Sequence, residues 1–450
     1  MRDPIITTRA ELRDTLKLAW PIVLNQVGHM SMGLVDTMVA GRISTTALAG
    51  LGLAANGFWT FTSICMGCLL ALDIYFSQSV GAGDQKNLSR YLSQSFWSCG
   101  IVTLASGVCI FAAYFIYLQV VPASDTRSAF SSYICSITWC LPSLFVFFVL
   151  QRYWQARHCV LPFTVIMVGA NLLNLVACLA FGLGEWGFPR LGVSGIALAT
   201  NISRYAMLAA ALIFTWRRLR PQGWGFCRFD LTIQKHIFRL GFPAAGHTAL
   251  EMGAFTVATF TVGVLGAVPL AAHHVCLMMA AFTFMFPLGF SSAAAVRVGM
   301  FIGSGHNERA RVAGWLCIGV SVAVMSCFAA GYLVFPRWLL GWFTHDPAVI
   351  ETGVKILVLV AIFQIADGIQ VSTTGALRGI GNTRAAMIAN LLGHYPIGLV
   401  LGLTLCFGLG WGVVGIWTGL AAGLISVAAM LIGSWVRKTR SIAEIRRIEP

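Results

Sequence analysis

Runs of twenty or more mostly apolar residues follow one another along the whole chain, broken by short stretches rich in Gly, Pro and basic residues. An α-helix needs about 20 such residues to cross a hydrocarbon layer about 30 Å thick. The runs are too long for barrel strands and lack their period-two alternation, so each is read as a helix. Twelve spans are expected. In the first half they are Thr15–Ala40, Leu48–Ser79, Ser93–Val120, Phe130–Tyr153, Phe163–Gly182 and Val193–Trp216. In the second they are Ile237–Leu265, Leu270–Phe301, Val312–Leu333, Val349–Leu377, Ala385–Leu405 and Val413–Val436. The fold class predicted is an all-α polytopic membrane protein.

Composition agrees, since 58% of the 450 residues are hydrophobic, 10% are charged, and the mean hydropathy is +0.80. A soluble globular protein is excluded, and no polar insertion is long enough to carry an activity outside the bilayer. The formal charge of +14 is explained by position. Arg2, Arg9, Arg13 and Lys17 precede the first span, Lys86 and Arg90 follow the second, Arg152 and Arg157 the fourth, and Arg217 to Arg239 join the sixth to the seventh. Arg297, Arg309 and Arg311 follow the eighth, Arg378 and Arg384 the tenth, and Arg437 to Arg447 the last, all on one side. The opposite loops and their edges hold only Arg42, Arg127, Arg190, Arg337 and Lys355. By the positive-inside rule both termini are expected in the cytoplasm, and no nucleic acid is implied as a partner. Met1 to Lys17 lacks the apolar core of a signal peptide. Most of the thirteen cysteines lie within spans, where cysteine acts as a small hydrophobe, so no disulfide framework is expected.

The halves repeat. Leu-Ala-Trp-Pro ending at Pro21 matches Leu-Gly-Phe-Pro ending at Pro243, and Val80-Gly81-Ala82-Gly83 matches Ile302-Gly303-Ser304-Gly305, both 222 residues apart. Gly192-Val193-Ser194-Gly195-Ile196 recurs as Gly412-Val413-Val414-Gly415-Ile416, 220 residues on. Three matches in one order at nearly one spacing mark an internal repeat. Six spans separate the copies, an even number, so two pseudo-symmetric six-helix bundles are expected to share an orientation and to leave a cleft near the midplane. The expected divisions are an N-terminal lobe 1–216, a linker 217–236, a C-terminal lobe 237–436 and a tail 437–450.

Polar residues inside the spans carry the functional expectation. On the first helix Gln26, His29, Gly33 and Asp36 share one face at i, i+3, i+7 and i+10. An ionised carboxylate at the bilayer centre costs about 2.5 to 3.5 kcal/mol, so Asp36 faces a polar cavity, finds a partner or takes up a proton. Glu251, one turn from His247 on the seventh helix, and Asp367, between Gln364 and Gln370 on the tenth, stand in comparable surroundings. Asp36, Glu251 and Asp367 are the candidate sites of proton or cation coupling. Gln26, His29, His247, Gln364 and Gln370 are candidate substrate or supporting residues, against the plainer reading of interhelical hydrogen bonds. Asp73 lies nearer one end of its helix and carries no assigned role. Pro21 and Pro243, at equivalent places in the two halves, are read as hinges or static kinks.

Enzyme-like patterns fail on context. Cys65-Met66-Gly67-Cys68 has no second pair, His273-His274 lacks the spacing for two ligands on one helix face, and Gly410 to Gly415 fits GxGxxG without a preceding strand. Neither a Walker A nor an HExxH sequence is present. No catalytic residue and no cofactor are expected, and an ion gradient becomes the default source of energy.

Pro21 through Gln26, Val35-Asp36-Thr37-Met38-Val39-Ala40-Gly41 and Gln78-Ser79-Val80-Gly81-Ala82 resemble the multidrug and toxic compound extrusion (MATE) family, in particular its bacterial NorM-like branch. So do Glu251, Ala271-Ala272-His273, and Gln364 to Gln370 leading to Leu377-Arg378-Gly379 and Asn382-Thr383. The similarity covers nearly the whole chain, although Ala71-Leu72-Asp73 is closer to the eukaryotic branch. The resemblance implies a V-shaped, monomeric antiporter of the inner membrane that exports small organic cations against inward flow of H⁺ or Na⁺. It further implies an N-lobe site at Asp36 with Asn174 beside it, and a C-lobe cation site at Glu251 and Asp367, where Na⁺ is one of the ions considered. Four residues after Asn174, where the family often has Asn or Asp, stands Cys178; His274 stands where Gln is usual and Phe363 where Tyr is frequent.

Two rival readings make different demands. A flippase for lipid-linked glycans, on a related fold, needs a cavity lined by Arg or Lys, and Arg204 is the main basic residue within the spans. An intramembrane enzyme needs a convergent His/Asp or Ser/His set near one face, and none is evident.

Overall fold

The structure, a computed structural model, describes residues 8–120, 124–222 and 225–440. Arg2, Arg446, Arg447 and the rest of the tail beyond Arg440 lie outside the described residues. Among the described residues every regular element is helical. Twelve long segments follow the predicted order. The first six are α1 Thr8–Ile43, α2 Thr45–Gly81, α3 Gln85–Val120, α4 Asp125–Ala156, α5 Leu161–Leu183 and α6 Val193–Leu219. The second six are α7 Leu231–Val264, α8 Ala267–Gly303, α9 Asn307–Val334, α10 Pro347–Gly379, α11 Arg384–Gly408 and α12 Gly412–Arg440. A further short helix, Pro336–Gly341, fills the connection before α10.

Ten of these segments are both long and apolar enough to cross a membrane. The other two, α1 and α7, have the length, at 36 and 34 residues, but not the apolarity. Each carries a polar stripe, Asn25, Gln26, His29 and Asp36 on one, His247, Thr248 and Glu251 on the other. Two of the three candidate acids therefore lie on the two long helices that lack an apolar stretch long enough to cross. Both also begin earlier than their apolar runs, because hydropathy marks the part of a helix in oil and not its first polar turns. Helix covers both ends of the expected 217–236 linker, and among the described residues between Leu219 and Leu231 the only helical piece is the 3-10 turn Arg220–Gln222.

The repeated glycine motifs have a common physical cause. Gly192 and Gly412 hold positive φ values of 62° and 57° at the starts of α6 and α12, a conformation that side chains resist. Three residues on, a Cβ on Gly195 would run into the carbonyl of Phe181, and one on Gly415 would lie 2.7 Å from the Cys406 nitrogen. Each motif thus seats the fifth helix of its half on the sixth, and each fifth helix widens at the contact into a π turn, Cys178–Leu183 in α5 and Thr404–Gly408 in α11. A second π segment of α11, Gly393–Leu399, lies further along against Gly419 and Gly423 and holds Pro396. The other repeat behaves likewise: Gly81 lies against the Met300 backbone while Gly303 lies against that of Gln78.

The chain forms two compact units. One holds the described residues up to Val23, Ser77–Gly83, and those from Phe242 on; the other holds Leu24–Phe76 and Asp84–Gly241. The chain passes between units within two residues of Pro21 and one of Pro243, and helix continues through both prolines.

Candidate functional site

Asp36 is 3% exposed and sits within the unit that holds Leu24–Phe76. Its carboxylate is surrounded by donors from three other helices. Thr200 on α6 donates to Oδ2 over 2.8 Å and Tyr133 on α4 donates to the same oxygen over 3.3 Å. On α5, Asn174 Nδ2 and Cys178 Sγ lie 3.4 and 3.5 Å from Oδ1. Asn174 also donates to Thr200 Oγ1 at 3.1 Å, tying the ring together. All four donors are neutral, and among the described residues Asp36 makes no ion pair. Arg204, one turn beyond Thr200, is buried and stacks on the Trp59 ring at 5.2 Å. A carboxylate with four neutral donors and no direct ion pair, on which the Arg204 charge acts only through space, is satisfied when charged, yet keeps its charge available to a mobile cation.

Tyr133 and Thr200 are functional candidates that sequence reasoning missed. Each is a small or amphipathic polar residue in an apolar run, with no stripe to flag it. Cys178 occupies the place expected of a polar partner and does contact Asp36, as a weak donor. Gln26 and His29 are half-buried on the Asp36 helix; His29 meets the edge of Phe147, with ring centroids 6.4 Å apart.

The second cluster lies wholly in the other unit. Gln370 on α10 donates to Glu251 Oε1 over 2.9 Å, and His247 Nε2 is 3.7 Å from Glu251 Oε2. Asp367 is 3% exposed and, among the described residues, has no hydrogen bond or ion pair. Gln364 is turned toward α8, where it donates to Thr283. Nearby on α11 stands His394, 1% exposed, its ring centroid 6.3 Å from that of Phe255, one turn beyond Glu251. Among the described residues neither His394 nitrogen has a partner, and the side-chain oxygen of Gln370 has none either. Buried polar atoms of this kind are ordinarily paired, so their concentration marks a place built for polar occupants.

Other residues singled out by sequence are structural. Asp73 is 1% exposed and pairs with Arg152 at 3.5 Å. His273 accepts from Trp417 Nε1 at Nδ1 over 3.1 Å, so its proton is on Nε2, where Thr259 lies 2.9 Å away. Among the described residues no three of His, Cys, Asp and Glu gather as a metal site.

The family model described as MatE matches residues 21–179 and again 243–404. The chain belongs to the MatE family. The double match falls on the two copies of the repeat and takes in Asp36, Glu251 and Asp367. Among curated relatives, a probable multidrug resistance protein NorM of Mesorhizobium japonicum is 32% identical, over 98% of this chain and 96% of its own. One of the same name from Pseudomonas putida is 31% identical over 95% and 94%. A crystal structure of the eukaryotic MATE transporter AtDTX14 superposes with a TM-score of 0.86 at 19% identity, over 97% of this chain and 99% of that one. This MatE member is a membrane transporter and not an enzyme.

Proposed function

We propose that this chain is a multidrug efflux protein of the inner membrane, both termini cytoplasmic, that exports amphipathic, mostly cationic compounds in exchange for inward H⁺ or Na⁺. The observation that carries the reading is the Asp36 carboxylate, buried among four neutral donors and, among the described residues, held in no ion pair. The names of the NorM relatives support the class of substrate. Oδ2 faces two hydroxyls, and a hydroxyl can turn from donor to acceptor, so a proton arriving there keeps a partner. Asn174 continues to hold Oδ1 in either state.

Glu251, Asp367 and the unpartnered oxygen of Gln370 supply the oxygen donors that a second proton or a Na⁺ would use. A coupling ion and an organic cation that draw on the same carboxylates lower each other's affinity, and that negative linkage is the exchange. One inward charge contributes about 2.3 kcal/mol per 100 mV, enough for more than tenfold accumulation of a neutral solute, whereas one-for-one exchange for a monovalent cation moves no net charge and draws on the ion's concentration gradient alone. Pro21 and Pro243, beside the points where the chain changes unit, are the hinges of the alternating-access movement.

Purified protein in vesicles is expected to move a fluorescent cation only under an imposed gradient, with pH and sodium gradients applied separately to name the ion. Unchanged transport in Asp36→Asn, Glu251→Gln and Asp367→Asn alike would remove this reading.

A further inference from the structure

The polar start of α1 bears a groove of about 530 Å³ whose lining, Pro21 apart, the transport reading does not use. The carbon stems of Arg9, Arg13 and Lys17 form one wall at i, i+4 and i+8, and Leu12, Leu16 and Trp20 form a parallel stripe three residues further along, so the groove itself is apolar and the charged ends stand at its margin. All three cations are exposed, and among the described residues none makes an ion pair. Leu16 and Trp20 are exposed too, at 40% and 53%.

The opposite side of the same turns is fixed. Glu11, 5% exposed, pairs with Arg297, and Arg309 reaches its other oxygen over 2.8 Å. Arg297 also donates to Thr15 Oγ1 over 2.7 Å. The acid that would otherwise neutralise this helix end is therefore consumed by α8 and α9, while among the described residues Asp14 makes no ion pair. What remains outward is a positive row beside an apolar row, displaced toward the bilayer by three residues, or about 4.5 Å of helix rise.

We propose that this groove is a binding site for one anionic phospholipid. The phosphate lies against Arg9, Arg13 and Lys17 at the level of the headgroups. An acyl chain follows Leu16 and Trp20 into the hydrocarbon, where tryptophan favours the interface. A zwitterionic lipid brings its own cation to the same place and gains less. A basic residue at a membrane surface adds about fivefold to the attraction for anionic lipid, so three together approach about 100-fold.

The test uses the full chain in detergent micelles, titrated with brominated phosphatidylglycerol or brominated phosphatidylcholine, each of which quenches nearby tryptophan. The difference between the wild type and Trp20→Phe isolates the Trp20 signal. Phosphatidylglycerol is expected to quench it at a mole fraction at least tenfold lower than phosphatidylcholine. The preference is expected to vanish in Arg9→Gln/Arg13→Gln/Lys17→Gln and to survive in Arg217→Gln/Arg218→Gln/Arg220→Gln. Equal quenching by the two lipids, or a preference that survives the first triple substitution, overturns the site. So does a preference lost in the second triple substitution alone. None of these readouts depends on transport, so the site stands or falls separately from the export reading.

Discussion

Thr200 donates its hydroxyl to Asp36 Oδ2 over 2.8 Å, from a helix 164 residues further along the chain. It is the shortest of the four contacts around that carboxylate, and a hydrogen bond to a charged group is worth about 1.5 to 3 kcal/mol. Thr200→Val keeps the volume and removes the hydroxyl. Efflux of a cationic dye is expected to fall about tenfold or more, at unchanged protein level, whereas Thr200→Ser retains at least half. Equal loss in both variants would assign Thr200 to packing.

Cys178 touches the other oxygen at 3.5 Å through sulfur, a weak donor. Asn174 already serves that oxygen. Cys178→Ala is therefore expected to leave dye efflux within about threefold of wild type. A loss as deep as that of Thr200→Val would show that the thiol carries more than its geometry suggests.

What could be read in the chain depended on the range of the interactions involved. The spans were legible because burial in oil writes itself as unbroken apolar runs, and Asp36, Glu251 and Asp367 because an acid within such a run has a large cost to explain. Their partners were not legible. Tyr133 and Thr200 reach Asp36 from 97 and 164 residues away, and nothing in either local pattern points to it. Glu11 reads as an ordinary surface acid near a basic terminus, yet it is buried against Arg297. The π turns Cys178–Leu183 of α5 and Thr404–Gly408 of α11 lie at the close approaches of Gly195 and Gly415, a tertiary fact that propensity does not contain.

The Glu11 cluster makes a stability prediction. Arg297 is 5% exposed and the carboxylate serves two guanidinium groups, so removing its charge strands a buried cation. Breaking one partner of a buried pair costs about 3 to 5 kcal/mol. Glu11→Gln is expected to lower the unfolding temperature in detergent by several degrees, and Glu11→Leu combined with Arg297→Met to recover part of that loss. A double variant less stable than the single one would show that the pair is not coupled.

Asp230, outside the membrane, caps α7 by accepting from the Thr232 and Ile233 amides at 2.9 and 3.3 Å, and meets Arg90 at 2.5 Å. The Ile233 amide first, and then the Arg90 guanidinium, hold its carboxyl below the usual range. A depressed folded value stabilises above the unfolded pKa, about 3.9, and that stabilisation is lost as pH falls through the folded value. The difference in unfolding temperature between wild type and Asp230→Asn is therefore expected to be constant from pH 5 to 8 and to narrow below about pH 4. A gap that widens on acidification would contradict the capping charge.

His394 separates function from stability. Its ring is 1% exposed and among the described residues neither nitrogen has a partner, whereas His273 in the same unit has both nitrogens engaged. An unsatisfied buried polar group costs about 1 to 3 kcal/mol, so a side chain chosen only for packing would be apolar. His394→Leu removes that cost at similar volume and is expected to unfold at the same or a higher temperature than wild type. Dye efflux is expected to drop severalfold in the same variant, because the polar lining shared with Glu251, Asp367 and Gln370 loses a member. Stability retained together with full efflux would mean that the imidazole plays no part in transport, and lower stability would mean that its nitrogens are satisfied in the folded protein.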